Sequence, residues 1–432
     1  MLIQDLYSLY QQYRSVSTDT RNIAPNSIFF ALKGERFNAN AFADQALEDG
    51  AKYVVIDEAP YKKDGRYLLV DDVLTTLQQL AHYHRQRLSI PFIGITGTNG
   101  KTTTKELVNA VLSQKYKVYA TKGNLNNHIG VPLTILSIPE HTEVAIIEMG
   151  ANHPEEIAFL CAIAEPTHGL ITNVGKAHLE GFGSFEGVKK TKGELYDFLK
   201  QHEGMLFLQS DNPHLVEMEK ARKIANIVHY GFSISNDVIG KLERADPLLT
   251  VSWRLPNGPS YTVSAHLTGS YNTENILAAV AVGRAFGLTA EQINRGVESY
   301  VPTNNRSQIT QTENNTVIAD YYNANASSMA AALDNIAVIE GNNKTIILGD
   351  MFEMGDESPE EHKKVVEKAT SLDVARVIFV GKAFYALRND KAVFYETTEE
   401  AKKALTEKPI QNSLILLKAS RGMAFEKLME VL

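Results

Sequence analysis

Residues 94 to 106 read GITGTNGKTTTKE, a glycine-bearing turn with a lysine and three threonines directly behind it. An apolar run ending PFI precedes it and ELVNAVL follows, so the local order is strand, turn, helix, the context in which such a turn cradles phosphate. Gly97 and Gly100 free the backbone N–H groups to converge on phosphate oxygens, and the helix amino terminus adds partial positive charge. Lys101 supplies a full charge, and Thr102 can offer its hydroxyl to Mg²⁺. The glycine five positions before Gly100 in the usual loop is replaced by Ile95. A turn that merely caps a helix is the bland alternative; the Lys-Thr-Thr run and the strand argue against it. No Asn-Lys-x-Asp follows, so ATP rather than a guanine nucleotide is expected.

Three further residues could work with that loop. Glu148 directly follows the buried-strand pattern EVAII, where its carboxylate could take Mg²⁺ directly or through water, although a solitary strand-end acid is commonly just solvated. His178 lies in a loop after the strand pattern HGLITN and, taken alone, reads as a hydrogen-bonded loop histidine. Lys192 sits in a helix whose apolar face carries Leu195, Phe198 and Leu199, and alone it reads as a surface lysine.

Elements must bring these scattered residues together. At 432 residues the chain exceeds a single core and predicts about three domains at roughly 150 residues each. Residues 1–88 mix short strand-like runs (SIFFALKG, AKYVVID, RYLLVDD) with helices, the last being VLTTLQQLAHYHRQR with Leu74, Leu77 and Leu80 at helical spacing. Residues 89–303 alternate buried strands with helices, and residues 304–432 repeat that alternation through NTVIAD, KTIILGDMFEMG, ARVIFVGK and SLILLKASRG. The expected class is α/β with three domains: a small amino-terminal α/β substrate domain, a central parallel-sheet ATPase domain, and a carboxyl-terminal Rossmann-like domain. In such sheets ligands sit beyond the carboxyl ends of the strands, which is where the candidate residues fall.

Composition removes other classes. The net charge of -8 gives no global field for wrapping nucleic acid or an anionic membrane. One cysteine, Cys161, allows neither an internal disulfide nor a cysteine-built metal cage, and MLIQDLYSLYQQYR has no basic-then-apolar signal, so the cytoplasm is expected. No apolar run approaches the roughly 20 residues that cross a bilayer.

The motifs resemble a known family, the Mur ligases, ATP-dependent amide-forming enzymes of peptidoglycan synthesis. The shortened TGTNGKTT loop is the form shared by Mur ligases and folylpolyglutamate synthases. GNLNNHIGVPLTIL, IIEMGANHPEEI, AHLEGFGSFEGV, DYYNANASSM, LGDMFEMG and LKASRGMAFE resemble the branch that adds D-alanyl-D-alanine to UDP-N-acetylmuramoyl-tripeptide. The resemblance implies that Gly97, Thr98, Asn99, Gly100, Lys101, Thr102 and Thr103 hold the ATP phosphates, with Thr102 and Glu148 on one Mg²⁺. His178 and Lys192 would hold a second, Lys192 as a carbamate made with CO₂, with Lys189 and Lys190 as competitors. An ammonium beside Mg²⁺ is repelled, whereas a neutral lysine that captures CO₂ becomes an anionic oxygen ligand.

By the same resemblance Asn272 and Asn275 lie on the adenine side, Arg306 reaches the phosphates and Asp320 the ribose. Ser17, Thr18, Asp19 and Arg21 would bind the uridine nucleotide, Asn127 the substrate, and Asn323 and Asn325 the dipeptide. The sequence departs from the family at Thr20 (usually Ser), at Asn26-Ser27 (usually Gly-Asp) and at Ala326 (often Pro). Expected chemistry is amide formation through an acyl phosphate, by a monomer whose third domain closes over ATP about a hinge near 301 to 305. The competing readings are a sister ligase adding diaminopimelate or glutamate, a folate-extending ligase, and a nucleotide-gated binding protein.

Overall fold

The computed structural model describes residues 1–341 and 343–432. The amino-terminal sheet, all parallel, runs Val16–Ser17, Ile28–Phe30, Tyr53–Ile56 and Tyr67–Leu69 in chain order. The helix Val73–Arg85 starts where the Asp72 carboxylate accepts the Thr75 N–H, and it buries Val73, Leu77, Leu80, Ala81 and His84. Leu74, expected on that stripe, is only half-buried, because the buried face is set by Val73 instead. At its end Arg85 donates to the Ala164 and Glu165 carbonyls, at 2.7 Å each, and stacks 3.9 Å over Phe92. A buried arginine thus ties the first sheet to the second.

In the central sheet His168–Ile171, Phe92–Thr96, Val144–Glu148 and Val118–Ala120 are consecutive neighbours, all parallel. Every residue of Phe92–Thr96 and Val144–Glu148 is buried, as a strand covered on both faces by helices requires. Lys101–Leu112 and Asn272–Ala285 pack together on one face through Leu107, Val108, Val111, Ile276 and Val280. The parallel alternation expected throughout 89–303 does not continue to the far edge. Val238–Ala245, Leu249–Arg254 and Ser260–Ser264 form an antiparallel extension there. Their burial alternates only in part, with Trp253 and Val263 inward, and short turns leave no room for crossover helices.

The carboxyl-terminal sheet is ordered Gln308–Gln311, Thr316–Ala319, Leu414–Lys418, Thr345–Gly349, Arg376–Val380, Val393–Tyr395, parallel apart from its first, antiparallel pair. Ala326 is the first residue of the helix Ala326–Val338. Proline is favoured there and never required, so the departure from the family pattern leaves the fold intact.

Candidate active site

Facing ends of the central and carboxyl-terminal sheets enclose a cavity of about 800 Å³. The strand Phe92–Thr96 enters it and turns at Gly97 (φ 145°) and Gly100 (φ 77°), conformations that a side chain resists. A Cβ on Gly97 would lie 2.0 Å from the Thr172 hydroxyl, and one on Gly100 2.8 Å from Asn275 Oδ1. Thr98, Asn99, Gly100, Lys101, Thr102 and Thr103 line the cavity, while Gly97 supports them from behind. Lys101 Nζ folds onto the loop's own carbonyls, 2.8 Å from Gly97 O and 3.0 Å from Thr98 O. Burial lowers its pKa to about 8, with Glu148 acting against the shift and Arg306 adding to it. The cation is thus held ready and incompletely compensated, as a receiver of phosphate should be.

The sheet register sets Glu148 beside the loop strand, paired with Ile95. Its Oε1 accepts from the Thr102 hydroxyl at 3.1 Å and from Asn126 Nδ2 at 2.8 Å, whereas the buried Oε2 has no partner. An unpaired buried carboxylate oxygen beside a threonine hydroxyl suits Mg²⁺, which takes few protein ligands and completes its shell with water and phosphate. Among the described residues no cluster of three or more His, Cys, Asp or Glu forms a self-sufficient metal cage.

His178 lines the cavity in a left-handed conformation (φ 51°) just before the short helix Leu179–Phe182. Burial lowers its pKa, and the Glu353 carboxylate opposes that shift. Lys192 lies on the buried face of Phe185–Gln201 with Leu195, Tyr196 and Leu199, behind the cavity wall. Its Nζ is 3.5 Å from Ala151 O and 5.5 Å from the centre of the Phe182 ring, and burial drives its pKa well down. The competitors differ: Lys189 is paired with Glu217 at 2.8 Å and its pKa is raised, and Lys190 is exposed. Phe198, expected on the buried face, is only half-buried.

Asn272 and Asn275 line the cavity beside the loop, and the other wall holds Arg306, Asp320, Asn323 and Asn325. Neither Ser270 nor Asn272 caps the helix Asn272–Ala285; Asn272 instead donates to Thr268 O and accepts from Asn275, whose Oδ1 takes the Thr104 hydroxyl at 3.0 Å. Arg306 stacks 3.8 Å over Tyr322, its buried Nε unpartnered. Asp320 accepts from Lys418 Nζ at 2.7 Å. Asn325 caps its helix and also donates to Asn99 Oδ1 at 2.8 Å, so the two walls touch at the loop. Asn127 reaches the cavity, but its Oδ1 already accepts the N–H groups of Ile129 and Gly130. Ser17, Thr18, Asp19 and Arg21 lie outside the cavity lining; Arg21 and Asp19 pair at 2.8 Å, and that contact lowers the Asp19 pKa to about 2.

A match to the Mur ligase middle domain covers residues 95–283, and one to the Mur ligase glutamate ligase domain covers 305–421. The UDP-N-acetylmuramoyl-tripeptide--D-alanyl-D-alanine ligase of Bacillus subtilis (strain 168) is 36% identical over 427 residues, 96% of this chain and 92% of its own. The chain belongs to the Mur ligase family. Crystal structures of MurF resemble it throughout. One from Acinetobacter baumannii has a TM-score of 0.87 at 30% identity, covering 98% of this chain and 97% of its own. One from Thermotoga maritima in complex with ADP has 0.85 at 27%, covering 97% of each.

Within this Mur ligase the sequence reading missed Asn126, Tyr322, Lys418 and Glu353. Asn126 is one residue before the nominated Asn127 in an Asn-Asn pair, and spacing alone does not say which one turns inward. Lys418 ends a buried strand with a charge, a signal as visible as that of Glu148.

Proposed function

We infer that the chain is an ATP-dependent amide ligase that joins D-alanyl-D-alanine to UDP-N-acetylmuramoyl-tripeptide through an acyl phosphate. The observation that carries this reading is that the phosphate loop faces Arg306, Asp320 and Asn325 of the other sheet across one shared cavity. Such a cavity can hold a nucleotide and two further reactants together. Residues 1–88, 89–303 and 304–432 are proposed as the uridine-nucleotide, ATP and closing domains, acting in one monomer. The mainly relevant kin, ligases that carry out this addition, match nearly end to end, which favours it over a sister ligase or a folate-extending one.

A carboxylate does not condense with an amine at neutral pH, because hydroxide is a poor leaving group. The tripeptide carboxylate attacks the γ-phosphorus of ATP, ADP departs, and an acyl phosphate remains. Lys101 and the loop amides of Gly97 to Thr103 hold the phosphates in line, and Arg306 neutralises charge from the opposite wall. Asn272 and Asn275 would orient the adenine, and Asp320 the ribose. The dipeptide amine, placed by Asn323 and Asn325, attacks the acyl carbon, and phosphate leaves as the amide forms. Enclosure by both walls keeps water from the acyl phosphate.

Thr102 and Glu148 would hold one Mg²⁺, and His178 with Lys192 a second. When bound, the cations neutralise phosphate charge as it builds. Lys192 fits its role as a neutral amine: Nζ adds to CO₂ and loses a proton, giving an anionic carbamate. Lys192→Ala is expected to abolish product, and added short carboxylates should return part of it; no return would sink the carbamate. Mass spectrometry of the product from UDP-linked tripeptide, D-alanyl-D-alanine and ATP tests the whole reading. Product mass must rise by one dipeptide residue per ADP formed; a gain from glutamate or diaminopimelate instead would overturn it.

A further inference from the structure

The LGDMFEMG segment leaves the strand Thr345–Gly349 and is pinned to its own sheet by several backbone contacts. Asp350 accepts the N–H groups of Ala383 and Phe384 at 2.9 and 3.0 Å, His362 Nε2 accepts that of Met351 at 3.0 Å, and Ser420 Oγ that of Phe352 at 3.0 Å. Met351 and Met354 are buried. Between these anchors the chain raises Glu353 in a left-handed conformation (φ 62°) that a glutamate adopts only at a cost.

Glu353 then meets the central unit. Its carboxylate lies against Nδ1 of His178, itself left-handed, so both sides of the contact hold strained backbone. Lys176 fastens the same approach, with Glu357 at 2.7 Å and Glu361 at 3.3 Å, while Gly355 rests on the Glu180 backbone. The carboxylate occupies the Nδ1 side of the ring, which leaves Nε2 as the nitrogen open to a cation. Metal-binding histidines are commonly oriented in this way, by a carboxylate that fixes the tautomer and the ring.

We propose that Glu353 is the positioning residue that sets the His178 ring for a cation, and that the carboxyl-terminal unit delivers it across the cavity. The second cation position is then complete only while the LGDMFEMG loop is docked, because neither sheet alone supplies both His178 and Glu353. This inference rests on the two-cation reading above and goes beyond it by assigning a residue from the opposite wall.

Electron paramagnetic resonance of Mn²⁺, titrated into the full chain with a non-hydrolysable ATP analogue, tests it. Wild type should take up two Mn²⁺. Glu353→Ala should keep one at unchanged affinity and weaken the other about 10–100-fold, the usual cost of removing such a partner. Glu353→Gln, which keeps an oxygen acceptor, should fall between. In a His178→Ala background, Glu353→Ala should change nothing further. Unchanged binding of both ions, equal weakening of both ions and the nucleotide, or one ion in wild type would each overturn the proposal. Glu353 is 53% exposed, so the variants are expected to fold, and a thermal melt within a few degrees of wild type confirms it. Because no acceptor is present, two-ion binding by a wild type that makes no amide would refute the ligase reading and leave this one standing.

Discussion

Lys101 shows what a single charged side chain does in this cavity. Its ammonium rests on two loop carbonyls, and burial makes its charge costly until an anion arrives. Lys101→Ala is expected to lower kcat for amide formation by about 10²–10³-fold, the size seen when one donor to a developing charge is removed. Phosphate release and product formation should fall together; release persisting without product would assign Lys101 to a later step. The sequence showed this residue plainly, because glycine spacing, a lysine and a following helix leave few other uses. Lys192 was less legible: in sequence it is one of three lysines within four positions, and only the structure shows that Lys189 is tied to Glu217, Lys190 is exposed and Lys192 is buried without a carboxylate. Glu353 was illegible, since its partner lies 175 residues away and neither residue carries a spacing signal toward the other.

At the scale of elements, the phosphate loop is shaped by what lies beneath it as much as by its own glycines. Gly97 packs on Thr172 at the end of the neighbouring strand. Gly97→Ala combines that clash with a φ that alanine resists, a strain of about 1–3 kcal/mol, so nucleotide should bind roughly 10–100-fold more weakly. Calorimetry with an ATP analogue measures this, and an unchanged affinity would show that the loop can shift without harm. The main strands were legible from apolar runs ending in Gly, Asn or an acid. The antiparallel extension Val238–Ala245, Leu249–Arg254 and Ser260–Ser264 was not. Its outer runs KLERA and SYTVS are polar enough to pass for loops, and only pairing with a neighbouring edge makes them strands.

For the whole molecule, the joins between sheets matter most. Among the described residues no helix is long and apolar enough to cross a membrane. The first join buries His84, whose Nδ1 meets the Tyr7 hydroxyl at 3.2 Å while Nε2 has no partner. Desolvation, with Arg14 and Arg87 adding repulsion, lowers its pKa to about 4. The depressed value means that the unfolded chain takes the proton first. Stability is therefore full above about pH 6.5 and is lost as pH falls toward 4, by at most about 3 kcal/mol from this group. His84→Gln should remove that slope between pH 6.5 and 4 in denaturant titrations; an identical slope would mean that other groups carry it. The second join pairs Asn99 with Asn325 and Ser327 at the phosphate loop, and beside it Lys176 with Glu357 and Glu361.

The pairing of Ile95 with Glu148 has a wider consequence. Inserting or deleting one residue within either strand would turn the acid to the opposite side of the sheet and leave Thr102 facing a hydrocarbon. The middle of the molecule is thus frozen by geometry. Any change in which amine is accepted has to be worked into the flanking units, where loops can lengthen without moving the phosphorus.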